Sequence, residues 1–254
     1  MSNVLSETRD RVLRIEIARL EKKNALTQEM YRSMSDALAA AEADSAVRVI
    51  LIHGARDCFT AGNDLKDFLE RAASGGPSEA FRFISALPRL AKPLVAAVGG
   101  AAVGIGTTML LHCDLVYASP GARFQMPFVS LGLVPEASSS LLLPMVAGYQ
   151  RAAELLLLAQ PFSADKAFAA GIVTEIVPED RLLEHARGQA AALAALPPAS
   201  VRLTKQLMKR QLAAPIAAQM QEEGRIFAEQ LKSGEAKEAM TAFFEKRKPD
   251  FSRF

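Results

Sequence analysis

Lys92-Pro-Leu-Val-Ala-Ala-Val-Gly-Gly-Ala-Ala-Val-Gly-Ile-Gly106 carries an unbroken apolar run from Pro93 to Val98 into a glycine-rich turn. The run reads as a strand and Gly106 to about Leu111 as a helix, a strand–turn–helix unit. A dinucleotide fingerprint starting at Gly104 would need glycine at position 109, which is Met109, and no Lys-Ser/Thr follows for a P-loop. Two uses of the turn remain open. It is a tight packing corner that needs small residues, or a helix start whose unpaired N–H groups face a developing negative charge.

Outward from this unit the chain repeats its order. Leu13, Ile15 and Ile17 alternate with Arg14 and Glu16 as a half-buried strand. Thr27 caps a helix with Met30, Met34, Leu38 and Ala41 on one stripe. Val47 to His53 is a β-branched run suited to a strand buried on both faces. Gly54 to Leu65 reads as a loop, and Asp67 to Ala73 as a short helix ending in Ser74-Gly-Gly-Pro77. Within that loop, Phe59-Thr-Ala-Gly-Asn-Asp-Leu65 is either a plain strand-to-helix connection capped by Asp64 or a second source of a backbone N–H for the same crevice.

Further on, Phe81 to Leu90 is helical, and Leu115 to Ala118 and Ala122 to Gln125 are strands. From Ser139 nearly everything reads as helix, with a break at Val173 to Val177 and a short helix capped by Ser163 and stopped by Gly171. From Pro198 onward three amphipathic helices follow, with Met208, Ile226, Phe227, Met240, Phe243 and Phe244 on their apolar faces. The class is α/β with a helical subdomain, divided at residues 1–197 and 198–254.

The composition narrows the function. A net charge of +2 over 254 residues, with both signs interspersed, gives no basic face for nucleic acid. No apolar run reaches the ~18 residues of a membrane span. Cys58 and Cys113 stand far apart in no metal-like spacing and read as reduced core thiols. Residues 1–14 lack the apolar stretch of a secretory signal and mix Glu7 and Asp10 with arginines, so a cytoplasmic location is expected. The final Ser252-Arg253-Phe254 lacks the leucine of a peroxisomal signal. His53, His112 and His185 have no partner at triad or ligand spacing and read as structural.

The carboxylate that draws attention is Glu136, in Leu131-Gly-Leu-Val-Pro-Glu-Ala-Ser-Ser-Ser140 before an apolar helix. Alone it is either a catalytic base or a charge stabilising that helix's first turn. Ser138, Ser139 and Ser140 lack a nucleophile elbow and are expected to cap the helix.

Together these stretches resemble the crotonase (enoyl-CoA hydratase/isomerase) superfamily along almost the whole chain. Leu20-Glu-Lys-Lys-Asn-Ala-Leu26 is similar to the family's early segment beside the nucleotide of coenzyme A, with Leu20 in place of a proline. The stretches 59–65 and 92–106 resemble its two oxyanion loops, which puts the donor amides at Ala61 and Ile105. Residues 235–251 resemble its closing helix. The resemblance implies a ββα spiral core and trimers or pairs of trimers. It implies an acyl-CoA substrate, bound by Lys22, Lys23, Ala25, Gly62, Asn63, Asp64, Leu65, Gly104 and Phe128, with no metal or redox cofactor.

Two departures define the expected chemistry. The two glutamates with which the family's hydratases handle water fall on Thr108 and Phe128, so that acid/base pair is missing. The single glutamate of its Δ3,Δ2-enoyl-CoA isomerases falls on Glu136. A one-base isomerase is therefore expected, with Phe128 and Val134 keeping water out. Another crotonase reaction on an acyl-CoA, such as hydrolysis or decarboxylation, and acyl-CoA binding without turnover are the alternatives.

Overall fold

The computed structural model describes residues 3–55, 58–74 and 78–254. Its strands, in chain order, are β1 (Val4–Arg9), β2 (Val12–Ile17), β3 (Val49–His53), β4 (Cys58–Thr60), β5 (Leu94–Val98), β6 (Ala101–Val103), β7 (Leu115–Ala118), β8 (Arg123–Gln125), β9 (Phe162–Ser163) and β10 (Glu175–Ile176). One sheet runs β1-β2-β3-β5-β7-β10 and the other β4-β6-β8-β9. Successive pairs, β3/β4, β5/β6 and β7/β8, thus give one strand to each sheet, and the chain winds as a ββα spiral.

All five residues of β3 and of β5 are buried. Period-2 geometry explains this. Ile50, Ile52, Ala96 and Val98 point into the main core with Ile15, Ile17, Met30 and Met34, while Val49, Leu51, Val95 and Ala97 meet Leu182, Ala186 and Ala190 of the helix Leu182–Ala195. The helix Gln28–Ala43 covers the main-core side, and Thr27 Oγ1 accepts the Met30 amide at 3.3 Å as expected.

Short strands depart from the sequence reading. The loop expected over 54–65 contains β4, and the glycine-rich turn contains β6. Three residues are too few to show a period. The hairpin strand β1 was also not anticipated, because only Val4 of its six residues is buried. Its turn uses Asp10 and Arg11 at φ 51° and 66°, the left-handed pair that suits a two-residue hairpin. The helix after β4 runs Leu65–Ser74, and its expected stop at Gly75 to Pro77 lies outside the described residues.

The C-terminal helices Pro198–Lys209, Ala213–Gln230 and Gly234–Phe244 are bolted to the core by buried polar groups. Lys205 Nζ donates to Lys92 O at 2.7 Å and to Asp114 Oδ2 at 2.6 Å, and that same Asp114 oxygen accepts the Leu94 amide at 2.8 Å. A Cβ on Gly132 would stand 2.6 Å from the Ala236 nitrogen, so the last helix docks directly on that glycine.

One side chain fixes β4. Asn24 is fully buried at φ 54°, and its Nδ2 donates to Cys58 O at 2.8 Å and Phe59 O at 3.3 Å. Its Oδ1 accepts the Arg19 amide at 2.7 Å, and its carbonyl accepts the Thr60 hydroxyl at 2.7 Å. Asn24→Ala strands several of these groups and is expected to cost about 3 kcal/mol. Urea unfolding with an unchanged m-value checks this, and a loss below about 1 kcal/mol would show that β4 is held by something else.

Candidate active site

β4 and β6 are parallel neighbours, with Cys58 opposite Ala101 and Thr60 opposite Ala102. Their carboxyl ends therefore open side by side. A Cβ on Gly62 (φ 87°) would lie 2.8 Å from Val103 O, so the two loops touch and glycine is required there. Gly104, at φ 57° and ψ −119°, caps the helix Ile105–Thr108 in a backbone state that excludes a side chain.

Accounting for each amide identifies the donors. Ala61 N–H donates to Lys23 O at 3.0 Å and Asp64 N–H to Leu26 O at 2.9 Å, while Gly62 N–H donates to Thr60 Oγ1 at 3.1 Å. Asn63 N–H has no acceptor among the described residues. Across the crevice Gly104 N–H donates to Gln125 O at 2.9 Å, and Thr107 and Thr108 both donate to Gly104 O. Ile105 and Gly106 remain, but only Ile105 lines the cleft; Gly106 is packed against the Thr60 side chain. Of these amides, the two in the cleft left without an acceptor among the described residues are thus those of Asn63 and Ile105. The expectation of Ala61 is corrected by its bond to Lys23.

The cleft that these amides face has a volume of about 660 Å³. Of the residues expected to bind substrate, Lys22, Ala25, Gly62, Asn63, Asp64, Leu65, Gly104 and Phe128 line it, together with Ala61. Lys23 does not; it works through its carbonyl, which holds the Ala61 amide and accepts the Cys58 thiol at 3.0 Å. The Asp64 carboxylate is committed to structure, pairing with Arg19 Nη1 at 2.8 Å and capping the amides of Lys66 and Asp67, so it is the helix cap anticipated. Sequence reasoning missed Lys66 at the rim and the apolar wall of Phe227, Met240, Phe243 and Phe244, which the topology brings from the chain's far end.

Glu136 lines a second cavity of about 690 Å³ that adjoins the cleft at Asn63, Phe68 and Phe227. Phe68 and Phe227 meet edge-to-face at 6.1 Å. Glu136 Oε1 accepts the Thr108 hydroxyl at 2.6 Å, which ties the carboxyl to the last residue of the helix that Ile105 begins. Its Oε2 has no hydrogen-bond partner among the described residues. The residue keeps some exposure through its cavity, yet burial pushes its carboxyl up to about 7; Thr108 lowers it, and Glu223 raises it further. Tyr31 donates its hydroxyl to Asn63 Oδ1 at 2.6 Å, and burial, then Glu136 and Asp67, raise its pKa well above the ordinary phenol range. Phe128 faces the other cleft, and Val134 lines neither cavity. The cavity that Glu136 lines takes its apolar wall from residues such as Phe68, Ile84, Met220 and Phe227, and not from the expected pair.

The helix-stabilising reading of Glu136 fails, because another carboxylate holds that place. Glu223 Oε2 accepts the Ser138 amide at 2.6 Å and its Oε1 the Ser140 amide at 3.0 Å, at the start of the helix Ser139–Ala147. The serines are not caps either. The Ser138 hydroxyl donates to Ile216 O at 2.9 Å, that of Ser139 to Glu136 O at 2.6 Å and that of Ser140 to Glu223. His112 is structural as expected, bonding Ala137 O at 2.8 Å, and burial lowers its pKa to about 4.

Over residues 7–253 the chain matches a known family model described as enoyl-CoA hydratase/isomerase. The chain belongs to the enoyl-CoA hydratase/isomerase family. Its spiral is the crotonase fold: it superposes on an enoyl-CoA hydratase/isomerase from Pseudoalteromonas atlantica with a TM-score of 0.94 at 44% identity, covering 98% of this chain and 100% of that one. It is 39% identical over 205 residues to enoyl-CoA delta isomerase 2 of Rattus norvegicus, a match covering 78% of this chain. The match covers 52% of that relative, about half its length. It is also 31% identical over 252 residues to 2,3-dehydroadipyl-CoA hydratase of Escherichia coli, covering 99% of both. Relatives of both reaction types are thus similar to it.

The raised pKa of Glu136 has a thermodynamic consequence. The folded protein holds a proton there between about pH 4.5 and 7 that the unfolded chain has released, so this carboxyl stabilises below its unfolded value and the gain is lost as pH rises through 7. Glu136→Gln lacks that dependence. Its stability relative to wild type is expected to rise by up to about 3 kcal/mol from pH 4.5 to 8, by urea unfolding at each pH. A constant difference would mean that the carboxyl titrates normally.

Proposed function

We propose that the protein is a Δ3,Δ2-enoyl-CoA isomerase that uses Glu136 as its only base. The observation that carries this reading is the Thr108–Glu136 contact. By the resemblance, the Thr108 hydroxyl and Phe128 stand where the family's hydratases have their two glutamates. Of the carboxylates lining the two cavities, Asp64 is tied to Arg19 and Glu223 to the turn at 138–140, which leaves Glu136.

The thioester oxygen would lie between the amides of Asn63 and Ile105, with the coenzyme's phosphates toward Lys22 and Lys66 and the acyl chain passing Asn63 into the second cavity. Glu136 takes the proton from C2, and that C–H pair spreads through the double bond as a dienolate whose charge rests on the thioester oxygen. Losing one such donor in other enzymes costs about 10²–10³ in rate. The protonated Glu136 then delivers the proton to C4, leaving the double bond between C2 and C3. A base near pH 7 suits both halves of this exchange. The shift is redox-neutral and calls for no metal or redox cofactor. Exposed Met145, Val146, Tyr149, Leu157, Leu158 and Phe168 support assembly of the chain into the trimers expected of the resemblance.

Conjugation of 3-hexenoyl-CoA, followed in the ultraviolet, tests the reading. Wild type is expected to turn over with activity rising through about pH 7, and Glu136→Gln to lose about 10²–10⁴-fold. Wild type that is silent here but hydrates a 2-enoyl-CoA would overturn the proposal.

A further inference from the structure

Two consecutive residues after Glu136, Ala137 and Ser138, stand in the left-handed region at φ 59° and 55°. Neither is glycine, so this backbone persists only where its surroundings impose it. Glu223, from the helix Ala213–Gln230, imposes it from below: it is buried, accepts the amides on either side of Ser139, and takes the Ser140 hydroxyl at 2.5 Å. Gln219 Nε2 donates to Ser140 Oγ at 2.8 Å, so the serine's own proton must point at Glu223.

Every contact to Glu223 is therefore a donor; burial raises its pKa, and the Ser140 and Ser138 hydrogen bonds oppose that rise by favouring the ionised form. Glu136, lining the same cavity, has one donor, Thr108. Two neighbouring carboxylates with such unequal partners divide their roles: the one with more donors is favoured in its charged form and the other exchanges the proton.

We propose that Glu223 is a positioning residue, a buried carboxylate held among donors that fixes the strained backbone behind Glu136 and brings a second charge to the same cavity. The inference deepens the reading of Glu136 as the base and rests on it. Glu223 is the charged group whose repulsion Glu136 feels. The other groups around the site are committed, neutral or exposed at its rim. Tyr31, from the helix Gln28–Ala43, keeps its proton, and Asp67, from the next helix, takes the Gln28 amide. His112, behind Ala137, is uncharged. Arg225 pairs with Glu222 and Glu229 on its own helix, and Lys232 sits exposed at the cavity rim.

Glu223→Gln keeps the volume and one acceptor but removes the charge and turns an NH₂ group toward an amide. Its kcat on 3-hexenoyl-CoA is expected to fall about tenfold or more with KM little changed, and the limb of the kcat–pH profile set by Glu136 to move to lower pH. Carbon-13 titration of the Glu136 carboxyl in the unliganded protein should move the same way. Glu223→Asp keeps the charge with a shorter reach and should lower kcat while leaving the limb in place; it carries the test if the Gln variant does not fold. Wild-type kcat and an unmoved limb in either folded variant that should have changed them overturn the inference. Wild type inactive on 3-enoyl-CoA overturns the isomerase reading alone, and the Glu136 titration then decides the role of Glu223 by itself.

Discussion

The chain turns left-handed twice in succession behind Glu136, at Ala137 and Ser138, and the site is organised around that turn. Each such L-residue costs roughly 1–2 kcal/mol, so the conformation is held by what surrounds it. His112 bonds Ala137 O; since a carbonyl only accepts, the ring carries its proton on Nε2. Lys209 Nζ in turn donates to His112 O at 3.1 Å. Glu223 and Ile216 hold Ser138 from the next helix. Two of the C-terminal helices thus reach under one loop. The consequence is directional: with its following amides satisfied by Glu223, Glu136 is released from capping and meets Thr108 instead.

The opposite wall of the site depends on a different constraint. Parallel pairing of β4 and β6 brings two loops to one edge, and each loop must dispose of its N–H groups. Asn24, Lys23 and Leu26 absorb most of the hydrogen bonding of the first loop. What is left over, the amides of Asn63 and Ile105, is decided by subtraction. Glycine at 62 and 104 makes the close approach and the sharp cap possible. The segment 20–26 therefore does more than border the cleft; its backbone assigns which amide of the neighbouring loop stays available.

These differences mark what the sequence makes legible. The period-2 burial of β2, the doubly buried β3 and β5, the Thr27 and Ser163 caps and the three closing helices each rest on a local pattern several residues long, and all appear in the fold. Glu136 and Thr108 were placed by resemblance, and the contact between them follows. The strands β4, β6 and β9 are too short to carry a period. Ala61 could be told from Asn63 only by knowing where Lys23 O lies, 38 positions away along the chain. Glu223 looks like any charge on an amphipathic helix until the fold carries it beneath residue 138, and nothing local in Ser138 to Ser140 says that their partners lie near 216 and 223.

On the proposed reading, the Thr108 hydroxyl lets one carboxyl serve both halves of a proton shift. A second carboxylate at that place, within 2.6 Å, would share a proton with Glu136 and separate the two into a fixed acid and a fixed base, as water addition requires. A hydroxyl divides nothing. It anchors Oε1 and partly offsets the burial that raises the pKa, leaving Oε2 without a partner to take a proton and give it back. C2 and C4 are separated by a single carbon, so the same oxygen can serve both with a small movement, provided the backbone behind it does not yield. The rigidity imposed at Ala137 and Ser138 and the unpartnered oxygen are two parts of the same arrangement: the support fixes the residue, and the hydroxyl leaves one atom of it free for the proposed proton transfer.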